Sequence, residues 1–251
     1  SADVIDFAHS GYTPRKLARH ADDDWRWSEL TFMPAIATPK KPTLSTVGTP
    51  EGDKKTDYTY CVTAIDDKGQ ESSPSEPASI SAQALNSVDF HIRISWEAVE
   101  GATGYRVYKK KMGVFGYIGK GDADETHIDD KNIGADTEDT PPEYEDPFEG
   151  EDNYPSQVFF HQQRLGFAAS NSRPITIWLS RSGEFESMAK STPPKDDDAI
   201  EVTLAATQAS RIVWLQPDRS ALAFGTEGSE WTLEPSEGVA LTPAPASFQL
   251  Q

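Results

Sequence analysis

The chain has 251 residues, enough for one large or two modest domains that each bury a hydrophobic core. Its formal charge of −18 disfavours an ordinary nucleic-acid-binding role, because a negative field repels phosphates. The single cysteine, Cys61, excludes an intrachain disulfide and a cysteine-cluster metal site. Since no apolar stretch approaches the roughly 20 residues that span a bilayer, we expect no membrane partner.

Short segments rich in β-branched and aromatic residues, separated by Pro and Gly, predict an all-β protein. Before residue 38, Asp3–Phe7 and Trp25–Phe32 predict two strands with a turn-rich stretch between them. Trp25 and Trp27 share one strand face, so they could stack on a sugar, but we predict that they pack in a core. The proline-rich segment Pro34–Pro42 then predicts a linker.

Residues 39–149 have a different sequence pattern, with polar and apolar positions alternating along short strands. The alternating segments are Tyr58–Ala64, Phe90–Trp96 and Tyr105–Tyr108. This period of two predicts an antiparallel β-sandwich. Cys61 falls on the opposite strand face from Tyr60 and Val62, where we predict a packing residue rather than a nucleophile.

The negative charge is concentrated between Asp122 and Asp152, which hold fourteen acidic residues and one base, Lys131, for a local charge of −13. We predict a solvated acidic loop there. The alternatives are a calcium site and a surface that keeps nucleic acid from sticking. The calcium alternative is weak because the spacing lacks the ordered ligands and final bidentate Glu of an EF-hand.

Residues 150–251 contain strand-like segments at short spacing, which predict a small meander followed by a second, similar set. The first set is Val158–Phe160, Leu165–Ala168 and Ile175–Leu179; the second is Ile200–Leu204, Ile212–Leu215, Ala221–Phe224 and Trp231–Leu233. Repeated hairpins of this kind are typical of propeller blades or an equivalent stacked sheet. For Trp178, Trp214 and Trp231 we predict core packing.

No motif in the chain predicts a catalytic centre. The segment Gly116–Gly121 lacks the Ser or Thr that follows the lysine of a phosphate-binding loop, and it predicts a hairpin. Ser180–Phe185 lacks the Asp of a sialidase-type repeat and predicts a β-turn. The five histidines share no ligand spacing: His9, His20, His91, His127 and His161. We therefore assign no catalytic, cofactor-binding or metal-ligating residue and no cofactor, and we expect the chain not to be an enzyme.

Parts of 39–149 resemble fibronectin type III domains. Tyr58–Ala64 with Asp67–Ser75 is similar to that family's last two strands, whereas Ile94–Val99 with Gly101–Tyr108 is similar to its early tryptophan strand and the strand that follows. Because the order of the two pairs is reversed here, the resemblance implies a rearranged sandwich or a related immunoglobulin-like fold. It also implies a role in spacing or adhesion without chemistry.

The flanks, residues 1–34 and 154–245, resemble the tail tubular, or nozzle, protein of short-tailed bacteriophages. The matching motifs, in order, are Ala2-Asp3-Val4, His9-x-x-Tyr12-x-Pro14-x-x-Leu17-x-Arg19, Trp25, Tyr154-Pro155, Phe160-x-Gln162-Gln163-Arg164-Leu165-x-Phe167-Ala168, Pro174-x-x-x-Trp178-x-Ser180-x-Ser182-Gly183-x-Phe185, Asp196-Asp197-Asp198-Ala199-Ile200 and Leu222-x-x-Phe224-x-x-x-Gly228-x-Glu230-Trp231. Members of that family are much longer, and they are implied to form a distal ring, below the portal and adaptor, through which the genome passes.

Together these observations predict a fibronectin-III-like sandwich, 39–149, inserted into a discontinuous propeller-like domain formed by 1–38 and 150–251. The resemblance implies a virion tail protein, made in the host cytoplasm, whose partners are other tail or portal-adaptor proteins and further copies in a ring. DNA would be transient cargo, and the sandwich would be available for host-surface contact. The alternative is a carbohydrate-binding or glycan-degrading β protein, since forty-one acidic residues do not exclude a catalytic carboxylate pair.

Overall fold

A computed structural model describes six stretches of the chain: residues 3–85, 89–204, 210–219, 221–235, 240–243 and, for the backbone, 247–250. The described residues form eighteen β-strands and no helix, and every pairing between the strands is antiparallel. The predicted all-β class is confirmed. Ala2 of the first flank motif lies outside the described residues.

The chain folds into two compact units. The sandwich unit consists of Pro34–Glu143 with the short segment Ser191–Pro193. The meander unit consists of Ser1–Met33, Tyr144–Lys190 and Pro194–Gln251.

The sandwich unit contains two sheets, of strand order β6-β5-β8-β9 and β10-β7-β4. Its strands are β4 (Thr43–Gly48), β5 (Lys55–Ile65), β6 (Ala78–Gln83), β7 (Phe90–Ser95), β8 (Gly104–Lys111), β9 (Val114–Asp122) and β10 (His127–Asp130). The predicted alternation places Tyr60, Val62 and Ala64 in the core between the sheets, against Ile92 and Ile94 of β7. Alternate side chains therefore build one shared hydrophobic layer, as in other sandwiches.

The meander unit contains three sheets, of strand order β1-β2-β3, β11-β12-β13-β14 and β15-β16-β17-β18. Its strands are β1 (Val4–His9), β2 (Tyr12–Ala21), β3 (Asp24–Glu29), β11 (Pro155–His161), β12 (Arg164–Ser170), β13 (Thr176–Leu179), β14 (Ile200–Thr203), β15 (Ile212–Pro217), β16 (Leu222–Thr226), β17 (Glu230–Glu234) and β18 (Ser247–Leu250). In each sheet, strands that follow one another in sequence lie side by side.

The amino-terminal segment forms three strands, so the prediction of two strands around a turn-rich stretch was wrong. The ten-residue strand β2 occupies that stretch and pairs on both sides. Pro14 misled the prediction because proline lacks a ladder donor. Here it lies at a register irregularity between β1 and β2, where proline is tolerated, and its carbonyl accepts a hydrogen bond from Leu30 N.

The two four-stranded meanders share a core, but their strands are grouped differently from the prediction. Ile200 pairs with Leu179, so β14 completes the first meander instead of opening the second. The shared core packs Phe159 and Ile177 of the first meander with Phe224 of the second. Length and composition could not show this grouping, because it depends on which strand edge is free to pair.

The first strands of the three sheets are neighbours within this unit: β1 contacts β11, and β11 contacts β15. The first meander is buried on both faces. Its second face, carrying Phe167 and Trp178, packs on Leu30, Phe32 and Phe148. The three sheets therefore form an open series whose first strands lie next to one another.

Candidate interaction surface

The amino-terminal sheet β1-β2-β3 has one face that we call the outward face, formed by the odd-numbered residues of its strands. Cross-strand partners make two rows on it: Ile5, Leu17 and Trp27, and beside them Phe7, Arg15 and Glu29. Trp25 lies next to the first row on β3 and pairs with Arg19.

The aromatic and aliphatic side chains of the outward face are open to solvent. Trp25 is 47% exposed, Trp27 51% and Ile5 50%. The prediction that Trp25 and Trp27 pack in a core was therefore wrong. Periodicity showed that the two indoles share a face, but it could not show that no described part of the chain covers that face.

The outward face is ordered by its own contacts. The Phe7 and Trp27 rings lie 4.9 Å apart between centroids, and the Arg15 guanidinium lies over the Trp27 ring at 6.0 Å. Arg15 also donates to a Glu29 carboxylate oxygen at 3.2 Å. Its Nε is buried and has no hydrogen-bond partner among the described residues. These contacts hold a contiguous apolar surface rimmed by charge, a pattern that marks protein or ligand contact sites.

The opposite face of the same sheet is polar. Lys16 contacts Glu186, and burial raises the pKa of Asp6 above its usual value, with Glu186 as a further cause. Ala8 of this face packs against the core that contains Phe32. The sheet therefore carries charge on its inner side and apolar rings on its outer side, the reverse of an ordinary surface sheet.

In the sandwich unit, a chemically similar face is covered. Arg106 lies over the rings of Tyr108 and Tyr117, at 5.6 and 4.6 Å from their centroids. Its guanidinium contacts Asp139, from the segment that follows β10, and Tyr108 is fully buried while donating to Glu71 Oε1 at 2.6 Å. Arginine, aromatic rings and carboxylate thus form a closed network here.

The acidic stretch is only partly the solvated loop that was predicted. Asp130 is fully buried, where it accepts a hydrogen bond from Tyr60 at 2.8 Å and contacts Lys109 Nζ at 2.7 Å. Asp129 accepts a bidentate pair of hydrogen bonds from Arg93, and this pair is the main cause that lowers the pKa of Asp129. Several of these carboxylates are consequently structural, since each is matched to a cation or hydroxyl. Ile128 packs against the sandwich core and lies two residues before Asp130 on β10, so it was the signal that could have placed Asp130 on the inner strand face.

The side chains that chemistry would require are buried or scattered. Cys61 is buried, and burial raises the pKa of its thiol to about 12, which keeps it protonated and supports the predicted packing role. His161 is buried, and desolvation lowers its pKa. Among the described residues, no group of three or more His, Cys, Asp or Glu side chains is arranged to hold a metal ion.

The described part of the chain contains no helix that is long and apolar enough to cross a membrane.

Three of the flank motifs meet in one structural network. Buried Arg164 donates to the carbonyl oxygens of Ser180 and Asp198, at 2.7 and 2.6 Å, and to that of Asp196 at 2.8 Å. The Ser180–Phe185 segment turns as predicted, with Arg181 bridged to Glu184. These motif residues hold loops together, because a buried guanidinium needs several acceptors.

Of the three tryptophans of residues 150–251 that were predicted to pack in a core, two do so and one is exposed. Trp178 is buried as predicted, and Trp231 packs partly against the shared core. Trp214 is 40% exposed, so its predicted core position was wrong. It lies on Gly225, where an added Cβ would meet the indole nitrogen at 2.0 Å.

An open depression of about 230 Å³ is lined by Trp178, Met188, Lys190 and Glu201, among others. This volume includes space that is open to solvent. Lys190 and Arg173 both contact Glu201 beside it, so these three charges are paired within the chain. The depression therefore gives little support for a small-molecule site, in contrast to the outward face.

No protein-family model and no curated protein sequence matches this chain.

Proposed function

We propose that this chain is a structural subunit of the tail of a short-tailed bacteriophage, in the distal tube, and that it assembles with further copies through the outward face. The single observation that carries the proposal is this ordered, solvent-exposed face of Ile5, Phe7, Trp25 and Trp27. An uncovered apolar sheet face of this kind is stabilised when a partner removes it from water. Head-to-tail contacts between identical subunits produce closed rings when the rotation between them closes.

The architecture of the meander unit supports this proposal. Propeller blades are antiparallel meanders in which successive sheets stack around an axis. The two four-stranded meanders, their shared core and the neighbouring first strands β1, β11 and β15 fit part of such an arrangement. We propose that the unit is a partial propeller whose series of sheets continues through contact with a neighbour.

The sandwich unit fits a fibronectin-III-like module with rearranged connections. If the tryptophan strand and the strand after it correspond to strands B and C of such a sandwich, and the last two strands to F and G, then C lies in one sheet with F and G, and B lies in the other. Here β8 shares a sheet with β5 and β6, while β7, which leads to Trp96, lies in the other sheet. The neighbours match although the chain order differs, so we propose a spacing or adhesion module on the tail exterior.

The charge of the chain is compatible with a DNA conduit. A net charge of −18 repels the passing genome, so DNA would be cargo rather than a ligand. The structural roles of Arg164, Cys61 and Asp130 support a subunit without catalysis. Other tail and portal-adaptor proteins are the expected partners in the virion.

Localisation in phage particles is the direct test. An epitope tag on this chain, expressed during phage production, should place gold particles at the distal tail in electron micrographs of purified virions. Label that is absent from particles, or that lies on the capsid, would contradict the proposal.

Self-association of the full chain tests the surface independently. Sedimentation velocity over a range of concentrations should show larger species for the wild type, and Trp27→Ser should weaken their formation by about thirtyfold or more, as for an interface hot spot. Trp214→Ser is the matched control, because it removes another exposed indole from a different sheet. Equal effects of the two changes would rule out a specific role for the outward face.

Glycan binding is the second candidate, and a specific observation favours it. Trp25 and Trp27 expose indoles on one face, and aromatic rings of this kind stack on sugars. A glycan array probed with the wild type and with Trp25→Ala distinguishes the candidates. Binding that Trp25→Ala abolishes, without any self-association of the wild type, would favour the glycan role.

A further inference from the structure

The hairpin that joins β8 and β9 ends in a tip of unusual composition. Lys111 pairs with Val114, so the loop consists of two residues, Met112 and Gly113. Three consecutive lysines, Lys109 to Lys111, lead into it. We call residues 110–115 the hairpin tip.

Met112 occupies a position that neither burial nor turn geometry favours. Its φ is 51° and that of Gly113 is 92°, which are the left-handed values of a type I′ turn. The first residue of such a turn is normally Asn, Asp or Gly, because other side chains are strained there. Met112 is nonetheless present and is 98% exposed. A large apolar side chain held in water, in strained backbone, suggests a role outside folding.

Two of the three lysines have no oppositely charged partner in the part of the chain that the structure describes. Lys109 is used within the fold, where it contacts Asp130 and lies over the Tyr58 ring. Lys110 and Lys111 are exposed and have no carboxylate within 4.0 Å among the described residues. Lys110 lies over the Phe115 ring at 5.7 Å. The tip therefore presents two ammonium groups without a carboxylate partner among the described residues, beside Met112 and Val114, which is 37% exposed.

We propose that the hairpin tip docks on an anionic phospholipid surface. The lysines would meet phosphate groups, and the Met112 side chain would enter the boundary between headgroups and acyl chains. Exposed apolar residues flanked by lysine are the chemistry that binds peripherally to such surfaces. An acidic protein partner would satisfy the lysines but would give no reason for an exposed methionine. Charges more than about 8 Å from the tip are largely screened at physiological salt, so the distant part of the net charge of −18 acts on it only weakly.

This docking revises the expectation of no membrane partner, which concerned only spanning segments. A peripheral contact needs neither a long apolar helix nor a propeller. It stands independently of the proposed tail function, since it uses the sandwich unit alone.

Co-sedimentation of the full chain with vesicles tests the docking. We expect binding to vesicles of phosphatidylglycerol and phosphatidylcholine, and none to phosphatidylcholine alone. Lys110→Ala with Lys111→Ala should lower the partition coefficient by about 25-fold, since each lysine near an anionic surface contributes about fivefold. Lys41→Ala with Lys68→Ala is the control, because it removes the same charge from exposed positions outside the tip.

Met112→Asn separates docking from folding. Asn is favoured in the type I′ turn, so the variant should unfold at the same or higher urea concentration, yet bind vesicles at least threefold more weakly. No binding to the anionic vesicles, or equal loss in the Lys41 and Lys68 control, would overturn the docking. So would a Lys110 and Lys111 dependence found only for DNA or for self-association.

Discussion

Two sheet faces of this molecule carry the same types of side chain, an arginine over aromatic rings beside carboxylates, but only one of the two faces is covered. Arg106 lies over tyrosine rings beside carboxylates in the sandwich unit, and Arg15 lies over Trp27 beside Glu29 in the amino-terminal sheet. The first face is closed by Asp139, whereas the second remains exposed. The difference shows that the same residue types form a closed network where another segment covers them, and an exposed face where no described segment does.

Replacing the two arginines should give the largest contrast. Arg106→Ala leaves Glu71 and Asp139 without their shared cation in a mostly buried site, so the free energy of unfolding should fall by about 2 to 3 kcal/mol. Arg15→Ala removes a more exposed pair and should cost less than about 0.5 kcal/mol. Urea unfolding of both variants measures the difference. Equal losses would mean that the outward face is already a stabilising core.

Removing single hydroxyl groups should give a smaller contrast. Tyr108→Phe deletes the hydrogen bond to Glu71 in the closed network, and it should cost about 1.5 kcal/mol. Tyr12→Phe, on the amino-terminal sheet where the ring is 62% exposed, should change the unfolding free energy by less than about 0.5 kcal/mol. Thermal unfolding followed by circular dichroism is the measurement. A large effect at Tyr12 would contradict the view that the amino-terminal sheet is open.

The smallest expected effect concerns the inner side of the amino-terminal sheet. Burial raises the pKa of Asp6 above 3.8, so its charged form is disfavoured in the folded state. The unfolding free energy should therefore decrease as the pH rises from about 3.8 through the raised pKa, and the loss should remain at pH 7.

Asp6→Asn keeps the side chain neutral and should raise stability at pH 7 by less than about 1 kcal/mol, with no gain at pH 3. Urea midpoints at the two pH values provide the check. Stabilisation at pH 3 as well would show that the effect does not come from the carboxylate charge.

The alternation of polar and apolar residues predicted burial correctly where one face of a strand lies entirely in the core. The alternation through Tyr60, Val62 and Ala64 predicted the sandwich core. Cys61 was correctly expected to be a packing residue rather than a nucleophile. Patterns failed at β2, where Pro14 obscured a strand, and at β14, whose partner depends on a free edge. Pairing between distant strands is a property of the whole chain, which no local period records.

The candidate site was the least predictable part. Sequence placed Trp25 and Trp27 on one face, but it could not tell a covered face from an open one, because the same residue types stabilise both. The acidic stretch shows the opposite error: its composition suggested solvent, whereas Asp130 is buried with Tyr60 and Lys109. Burial of a charge depends on partners that are remote in sequence.

The sequence by itself determined the all-β class, the alternating core strands of the sandwich and the excess of negative charge. These follow from side-chain period and composition, which act over a few residues. Only the tertiary structure decided that the amino-terminal sheet leaves its aromatic face open, that Arg106 is covered and that Met112 stands at an exposed turn. Each depends on which distant segments come to lie against a surface, and that is settled only when the whole chain packs.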